Sequence, residues 1–361
     1  MKRLLLLGAG GSAGINFIKS LRNAPEEFFI VGTDTNKYHL ELPDLDKRYL
    51  IPHASNEEYI NKVNEVILKE DIEFVHAQPD IEVYTISKNR NEIKAKIFLP
   101  SHKTIELCQN KYNTSKVLEM EGIPVAKCYK ANEVNLDKAF NELKDKNNRV
   151  WIRAIRGAGS RASLPAFSAD HIKFWINYWK LKEGMNEEDF MISEFLPGDE
   201  YAFQSLWKNG RLITSQARKR VEYLFGNITP SGQTSTPSVA VTVNDEEINK
   251  IATKAIKAVD TNPNGIYCVD IKKNKDGIPC VTEINAGRFF TTNDFYSNLG
   301  CNMPWLYVKL AFNEKIPPVK QYNPVPEGYY WIRLPDAGPI LIKEGEFRSI
   351  DLRKKSLFNI Y

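Results

Sequence analysis

Through the first hundred residues, short apolar runs alternate with stretches whose hydrophobic positions recur at helical spacing. The runs are RLLLLG (3–8), FFIVGTD (28–34), RYLIP (48–52), EFVHAQP (73–79) and AKIFLP (95–100), and the helical spacing falls at about 13–23, 56–70 and 80–91. Strands and helices in strict alternation predict an open parallel sheet, because each helix carries the chain back across a sheet face. Pro100-Ser101 closes this unit, and Ser101 is placed to cap a short helix through Cys108. NKYNTSKVLEMEGIPVAKCY (110–129) then reads as a helix ending at Gly122 and a strand beginning after Pro124.

From there the texture changes to long strands with polar turns: RVWIRAI (149–155), DFMISEFL (189–196), EYAFQSLWKNGRLITSQAR (200–218) and GIYCVDIKKNKDGIPCVTEIN (265–285). Asn209-Gly210 and Asp276-Gly277 are hairpin signals. Helices are predicted at 168–182, 245–260 and about 300–312, and short strands in YYWIRLPDAGPILI (329–342). The chain is therefore α/β first and α+β afterwards, with no internal repeat.

Length and charge narrow the picture. A chain of 361 residues exceeds one ordinary core, which predicts two or three domains. The net charge of +4 comes from basic residues spread along the chain. No stripe of Lys and Arg interleaved with aromatics marks a nucleic-acid partner. The apolar stretch after Met1-Lys2-Arg3 ends at Gly8, short of the roughly 7–15 residues of a signal-peptide core, and no run approaches a membrane span of about 18 residues. Five irregularly spaced cysteines suit reduced thiols and a cytoplasmic location.

Candidate chemistry begins with LLLLGAGGSAG (4–14). Gly8, Gly10 and either Ala13 or Gly14 approximate a dinucleotide loop, and Asp34 ends the next strand where a ribose-binding acid would stand. The same glycines would equally let a helix start close against the first strand. A second loop, WIRAIRGAGSRAS (151–163), sets Arg153 and Arg156 at a strand end and Gly157, Gly159 and Ser160 in the following turn. Successive backbone N–H groups and forking guanidinium groups suit phosphate oxygens. In SEFLPGDEY (193–201), Glu194, Phe195 and Leu196 end a strand and Glu200 opens the next. That segment offers backbone groups to an adenine edge and a carboxylate to ribose hydroxyls.

Asp270 and Glu283 lie on two strands joined at Asp276-Gly277, and alternation puts Asn285 on the face of Glu283. With Asp270 across the hairpin, two carboxylates and an amide oxygen make a hard-oxygen site for Mg²⁺. Both acids interrupt apolar runs, where an uncompensated charge is expensive. Arg218-Lys219-Arg220 is the tight basic run, and a surface cluster is its simplest reading. His76 sits at a strand end beside the expected cleft, where a lone histidine reads first as structural.

In this order the pieces resemble the ATP-grasp superfamily over about residues 1–312. The texture is nearest to the synthetase halves of carbamoyl-phosphate synthase large subunits and to biotin-carboxylase-like and D-alanine ligase-like relatives. The resemblance implies a Rossmann-like domain at 1–106, a two-lobed ATP-grasp domain at 107–190 and 191–312, and a β extension at 313–361. It assigns Lys111 and Arg153 to the ATP phosphates, with Gly157, Gly159 and Ser160 in the loop that closes over them. Glu194, Phe195 and Leu196 match the adenine hinge, Glu200 the ribose carboxylate, and Asp270, Glu283 and Asn285 the Mg²⁺ (or Mn²⁺) ligands. Arg288, one residue later than in the family's E-x-N-P-R, takes the acyl-phosphate role, and Arg220 faces the γ-phosphate or the substrate.

The implied activity is an ADP-forming ligase that joins a small carboxylate to an amine, in a family where homodimers are common. Two other readings stand beside it: an NAD(P)-dependent oxidoreductase or epimerase using the first glycine loop, and a non-catalytic ATP-binding relative.

Overall fold

A computed structural model describes residues 1–157, 162–234 and 236–346. The first unit runs β1 (Lys2–Leu7), α1 (Ser12–Arg22), β2 (Phe28–Asp34), β3 (Lys47–Leu50), α2 (Tyr59–Lys69), β4 (Phe74–Ala77), α3 (Asp80–Lys88) and β5 (Lys96–Ile97). Its five strands lie parallel in the order β3-β2-β1-β4-β5. Leu4 to Leu7 are all buried, as expected of a central parallel strand covered on both faces. The strand order reverses between β1 and β4. The crevice of an open α/β sheet lies at such a point, outside the carboxyl ends of the strands.

Two short helices, α4 (His102–Cys108) and α5 (Lys111–Met120), follow. The Ser101 hydroxyl accepts from the Thr104 N–H, the predicted cap, and Gly122 takes φ +67° beyond the end of α5. The second unit is an antiparallel sheet in the order β6-β9-β7-β8, formed by β6 (Cys128–Lys130), β7 (Val150–Ala154), β8 (Leu164–Ala166) and β9 (Phe190–Glu194). Its helices α6 (Leu136–Leu143) and α7 (Ala169–Glu183) bury Phe140, Ile172 and Ile176 in a core of its own.

The third unit comprises β10 (Glu200–Lys208), β11 (Arg211–Tyr223), β12 (Pro237–Val243), α8 (Glu246–Val259), β13 (Gly265–Lys273), β14 (Pro279–Ala286), α9 (Asp294–Asn298) and α10 (Met303–Ala311). With β15 (Tyr329–Leu334) and β16 (Ala337–Lys343) it makes a sheet in the order β14-β13-β10-β11-β12-β15-β16. The tail strands thus extend this sheet, pairing Trp331 with Ala240. One apolar core joins Leu5, Val63 and Val83 of the first unit to Phe203, Val269 and Ile284 of the large sheet.

Candidate functional site

Two hairpins set the site, and each carries one extra residue. In β10–β11 the ladder slips at Ile213, so Glu200 pairs with Arg220 rather than Lys219. In β13–β14 it slips at Thr282, so Asp270 pairs with Glu283. Such bulges re-aim side chains along a strand. The Thr282 carbonyl, displaced from the ladder, accepts from Arg153 Nη2 at 2.6 Å, and its hydroxyl donates to the Asp270 carbonyl at 3.1 Å.

The edge strand β14 meets the segment entering β6, where the Val281 N–H donates to the Pro124 carbonyl at 2.9 Å. In the angle between the two antiparallel sheets lies a slot of about 100 Å³ walled by Leu118, Trp151, Met191, Phe195, Leu196 and Val281. The Glu194 carboxylate accepts the Lys127 N–H at 3.0 Å and so holds β6 against β9. The Leu196 N–H has no partner among the described residues. An apolar slot with a free amide on its wall suits a flat heteroaromatic ring.

The slot opens into a cleft of about 970 Å³ that reaches the α1 N-terminus and the start of α3. Lys111, Arg153, Glu200 and Glu283 line both, so they stand where a ring-bearing ligand would turn from base to charged tail. Lys111 is 9 % exposed, and its Nζ donates to the Gly157 carbonyl at 2.6 Å and lies 3.8 Å from Glu283. Burial lowers the pKa of Lys111 and of Arg153, against the pull of Glu283 on both. Glu200 accepts from Arg220 Nη1 at 2.7 Å, from Gln233 at 3.0 Å and from the Tyr223 hydroxyl, and Lys272 lies 3.5 Å away.

The acids across β13–β14 differ. Burial raises the Asp270 pKa; Arg220 pulls it down, and Glu283 and Glu200 add to the rise. Burial would raise Glu283 too, but Lys111, Arg153, Arg288 and Arg220 outweigh it and hold this group below the usual carboxylate range. Arg220 Nη2 donates to Asp270 at 2.5 Å, Asn285 Nδ2 donates to Asp270 at 3.3 Å, and Arg288 bridges Asn285 and Asp80. Glu283 accepts no hydrogen bond among the described residues, and its carboxylate faces the cleft.

This donor set fits a hard divalent cation, which would relieve the repulsion between the facing carboxylates. No group of three His, Cys, Asp or Glu side chains is gathered among the described residues. A cation here would therefore take the Asn285 amide oxygen and ligand phosphates to complete its shell.

Every residue that the ATP-grasp resemblance assigns to the site and that lies inside the described range borders this slot or cleft, while Gly159 and Ser160 lie outside the described residues. Two expectations change. The basic run is not a surface cluster: Arg218 is 1 % exposed and Arg220 is ion-paired on both sides, and only Lys219 reaches out, to Asp199 at 2.8 Å. His76 does not face the cleft. It stacks on Phe17 at 4.6 Å, contacts the Gln78 amide oxygen at 2.7 Å and Tyr307 at 3.2 Å, and burial lowers its pKa to about 4, so it is neutral.

Asp34 accepts the Gly10 and Asn36 N–H groups, closing the first loop where a ribose would bind. A Cβ at Gly10 would come within 2.7 Å of the His39 backbone, and one at Gly14 within 2.7 Å of the Gly8 carbonyl. These are close-packing glycines. Sequence reasoning missed the Asp80–Arg288 ion pair and the Gln233 and Tyr223 contacts to Glu200, all of which join segments remote in the chain.

Residues 186–330 match the family model described as ATP-grasp in the biosynthetic pathway with Ter operon. No curated protein sequence matches the chain. Among solved structures, the chain resembles the biotin carboxylase domain dimer of Hydrogenobacter thermophilus 2-oxoglutarate carboxylase, in complex with MgADP, ADP and bicarbonate. The identity is 14% and the TM-score 0.69, covering 91% of this chain and 73% of that one. It also resembles carboxyaminoimidazole ribonucleotide synthase from Aspergillus clavatus with ATP (17%, TM-score 0.67, 91% and 81%). A third likeness is to the L-amino acid ligase of Bacillus licheniformis (14%, TM-score 0.64, 91% and 78%).

Proposed function

We propose that this chain, which matches an ATP-grasp family over 186–330 and shares its fold with ATP-grasp ligases, is an ADP-forming ligase joining a small carboxylate to an amine. The observation that carries the reading is the junction of the apolar slot with the charged cleft at Lys111, Arg153, Glu200 and Glu283. The antiparallel sheets act as the two lobes that close on ATP. Adenine occupies the slot against Phe195 and Leu196, Glu200 takes the ribose hydroxyls, and Lys111 and Arg153 hold the phosphates.

The substrate carboxylate attacks the γ-phosphorus, ADP leaves, and the amine displaces phosphate from the acyl phosphate. Arg288 stabilises the charge that develops on the transferred group, and Arg220 fixes Asp270 and Glu200. Asp270, Glu283 and Asn285 would hold Mg²⁺, which supplies charge neutralisation at the phosphates. Catalysis is positioning and electrostatics, with no covalent enzyme intermediate. The homodimer common in the family belongs to the same proposal, as does a cytoplasmic setting, which accords with five free, buried cysteines. No helix among the described residues is long and apolar enough to cross a membrane.

Thermal unfolding tests the reading. ADP with Mg²⁺ at about 100 times its Kd should stabilise the protein by about 2.7 kcal/mol, and EDTA should remove much of that gain. NAD(H) and NADP(H) should give no shift. Stabilisation by a dinucleotide and none by ADP would sink the ligase reading and restore the first glycine loop as the cofactor site.

A further inference from the structure

Behind Phe290, on the sheet face that carries the site, lies a group of polar side chains that the reaction does not use. Arg218 stands on β11 between Ala202 and Thr242 of the neighbouring strands, is 1 % exposed, and makes no ion pair or side-chain hydrogen bond among the described residues. Its Nε and Nη1 are buried without a partner, and so are Arg333 Nε, Trp331 Nε1, the Tyr296 hydroxyl and the Thr292 hydroxyl. Arg333 follows Trp331 by two residues on β15, so the two point to one face. Arg218 pairs with Thr242 and Trp331 with Ala240, two residues apart on β12, so both arginines and the indole stand on one sheet face, and the Arg218 charge adds to burial in lowering the Arg333 pKa. No described carboxylate is within ion-pairing distance of either.

A buried guanidinium without an anion is expensive, and a second, half-buried one on the same face adds to the cost. What partly shields Arg218 is the Phe290 ring, whose centroid lies 4.9 Å from its Cζ. Phe290 and the adjacent Thr291 line the large cleft, so Arg218 lies directly behind its wall. Arg and Trp offer donors only, which excludes a cation and favours a planar or tetrahedral oxyanion.

We propose that Arg218 and Arg333, with Trp331 and Tyr296, bind an anionic group of the substrate, a carboxylate or a phosphate other than the carboxylate that is activated. The inference rests on the ligase reading and deepens it: the substrate is a dianion, held at one end by this pocket and presented to ATP at the other.

The test uses the full chain saturated with ADP and Mg²⁺, so that the phosphate site is filled. Inorganic phosphate, succinate and butyrate are each titrated by calorimetry. Phosphate or succinate binds, and whichever binds tighter names the source, whereas butyrate, with one carboxylate, binds at least tenfold more weakly. Arg218→Met and Arg333→Gln each weaken that binding at least tenfold. Arg218→Met also unfolds at the wild-type temperature or above when no anion is present, because it removes an unpaired buried charge. The proposal is overturned if neither dianion binds, if both variants bind as the wild type does, or if Arg218→Met lowers the unfolding temperature of the free protein. A chain that binds ADP and no dianion refutes this inference alone. One that binds a dianion through Arg218 but no ADP refutes the ligase reading and leaves the anion pocket standing.

Discussion

Glu283→Gln abolishes the Mg²⁺-dependence of ADP binding and lowers ATP turnover by about 10²–10³-fold or more, the scale expected when one preorganised electrostatic group is lost from an active site. The reason lies in how this carboxylate is held. It is partly buried and accepts no hydrogen bond, yet Lys111, Arg153, Arg288 and Arg220 keep it ionised. Its oxygens are therefore held by neighbouring charge and not by hydrogen bonds among the described residues. The amide keeps the shape and removes the anion, leaving the cations without their shared counter-ion. The free variant should lose about 1–3 kcal/mol, while ADP phosphates should recover part of it by supplying negative charge at the same place. Calorimetric titration with ADP, with and without Mg²⁺, reads the metal link without knowledge of the substrate. An unchanged Mg²⁺ effect on ADP affinity would remove Glu283 from the metal site.

Arg220→Met has the largest expected effect on stability. Arg220 is 9 % exposed and bridges Glu200 and Asp270, so its removal strands two acids in a poorly hydrated place. Breaking a buried pair of this kind costs about 3–5 kcal/mol. The loss depends on pH. Burial works to raise Glu200, but Arg220 and Lys272 hold it low, so its ionised form stabilises the fold and that contribution fades as pH falls through its folded pKa. Asp270 is the reverse: its pKa is raised chiefly by burial, so its ionisation costs stability, and the cost is relieved as pH falls through the raised value. In the variant both acids lose the Arg220 charge and both titrate higher. The gap between wild type and variant is therefore widest near neutral pH and narrows in acid. Urea unfolding at several pH values measures it, and a gap that widens on acidification would contradict the assigned pairing.

Much of the architecture is legible in the sequence because it is written in local periods. The parallel unit shows in five apolar runs, and the hairpins show in Asn209-Gly210 and Asp276-Gly277. Register is another matter. Counting outward from the Asn209-Gly210 turn would set Lys219 opposite Glu200, and Ile213, bulged out, puts Arg220 there instead. Nothing in the spacing of hydrophobic residues marks Ile213. Thr282 does the same for Glu283, so the facing acids follow from a slip as much as from residue type. Arg218 is hidden for a related reason: a basic triplet reads as surface, and the Phe290 ring that covers it comes from more than 70 residues away.

The distribution of cores bears on motion. The first unit and the large sheet share two apolar clusters, whereas β6 to β9 with α6 and α7 enclose a separate one around Ile152 and Ile172. A rotation between the first unit and the large sheet would tear a common interior, whereas the β6–β9 unit would keep its own core intact on turning. The bonds that tie it to its neighbours include the Pro124–Val281, Arg153–Thr282 and Lys111–Ile155 hydrogen bonds. Under the proposed function, closure of the cleft on ATP would carry Arg153 with the small antiparallel sheet, while Glu283 would stay with the large one.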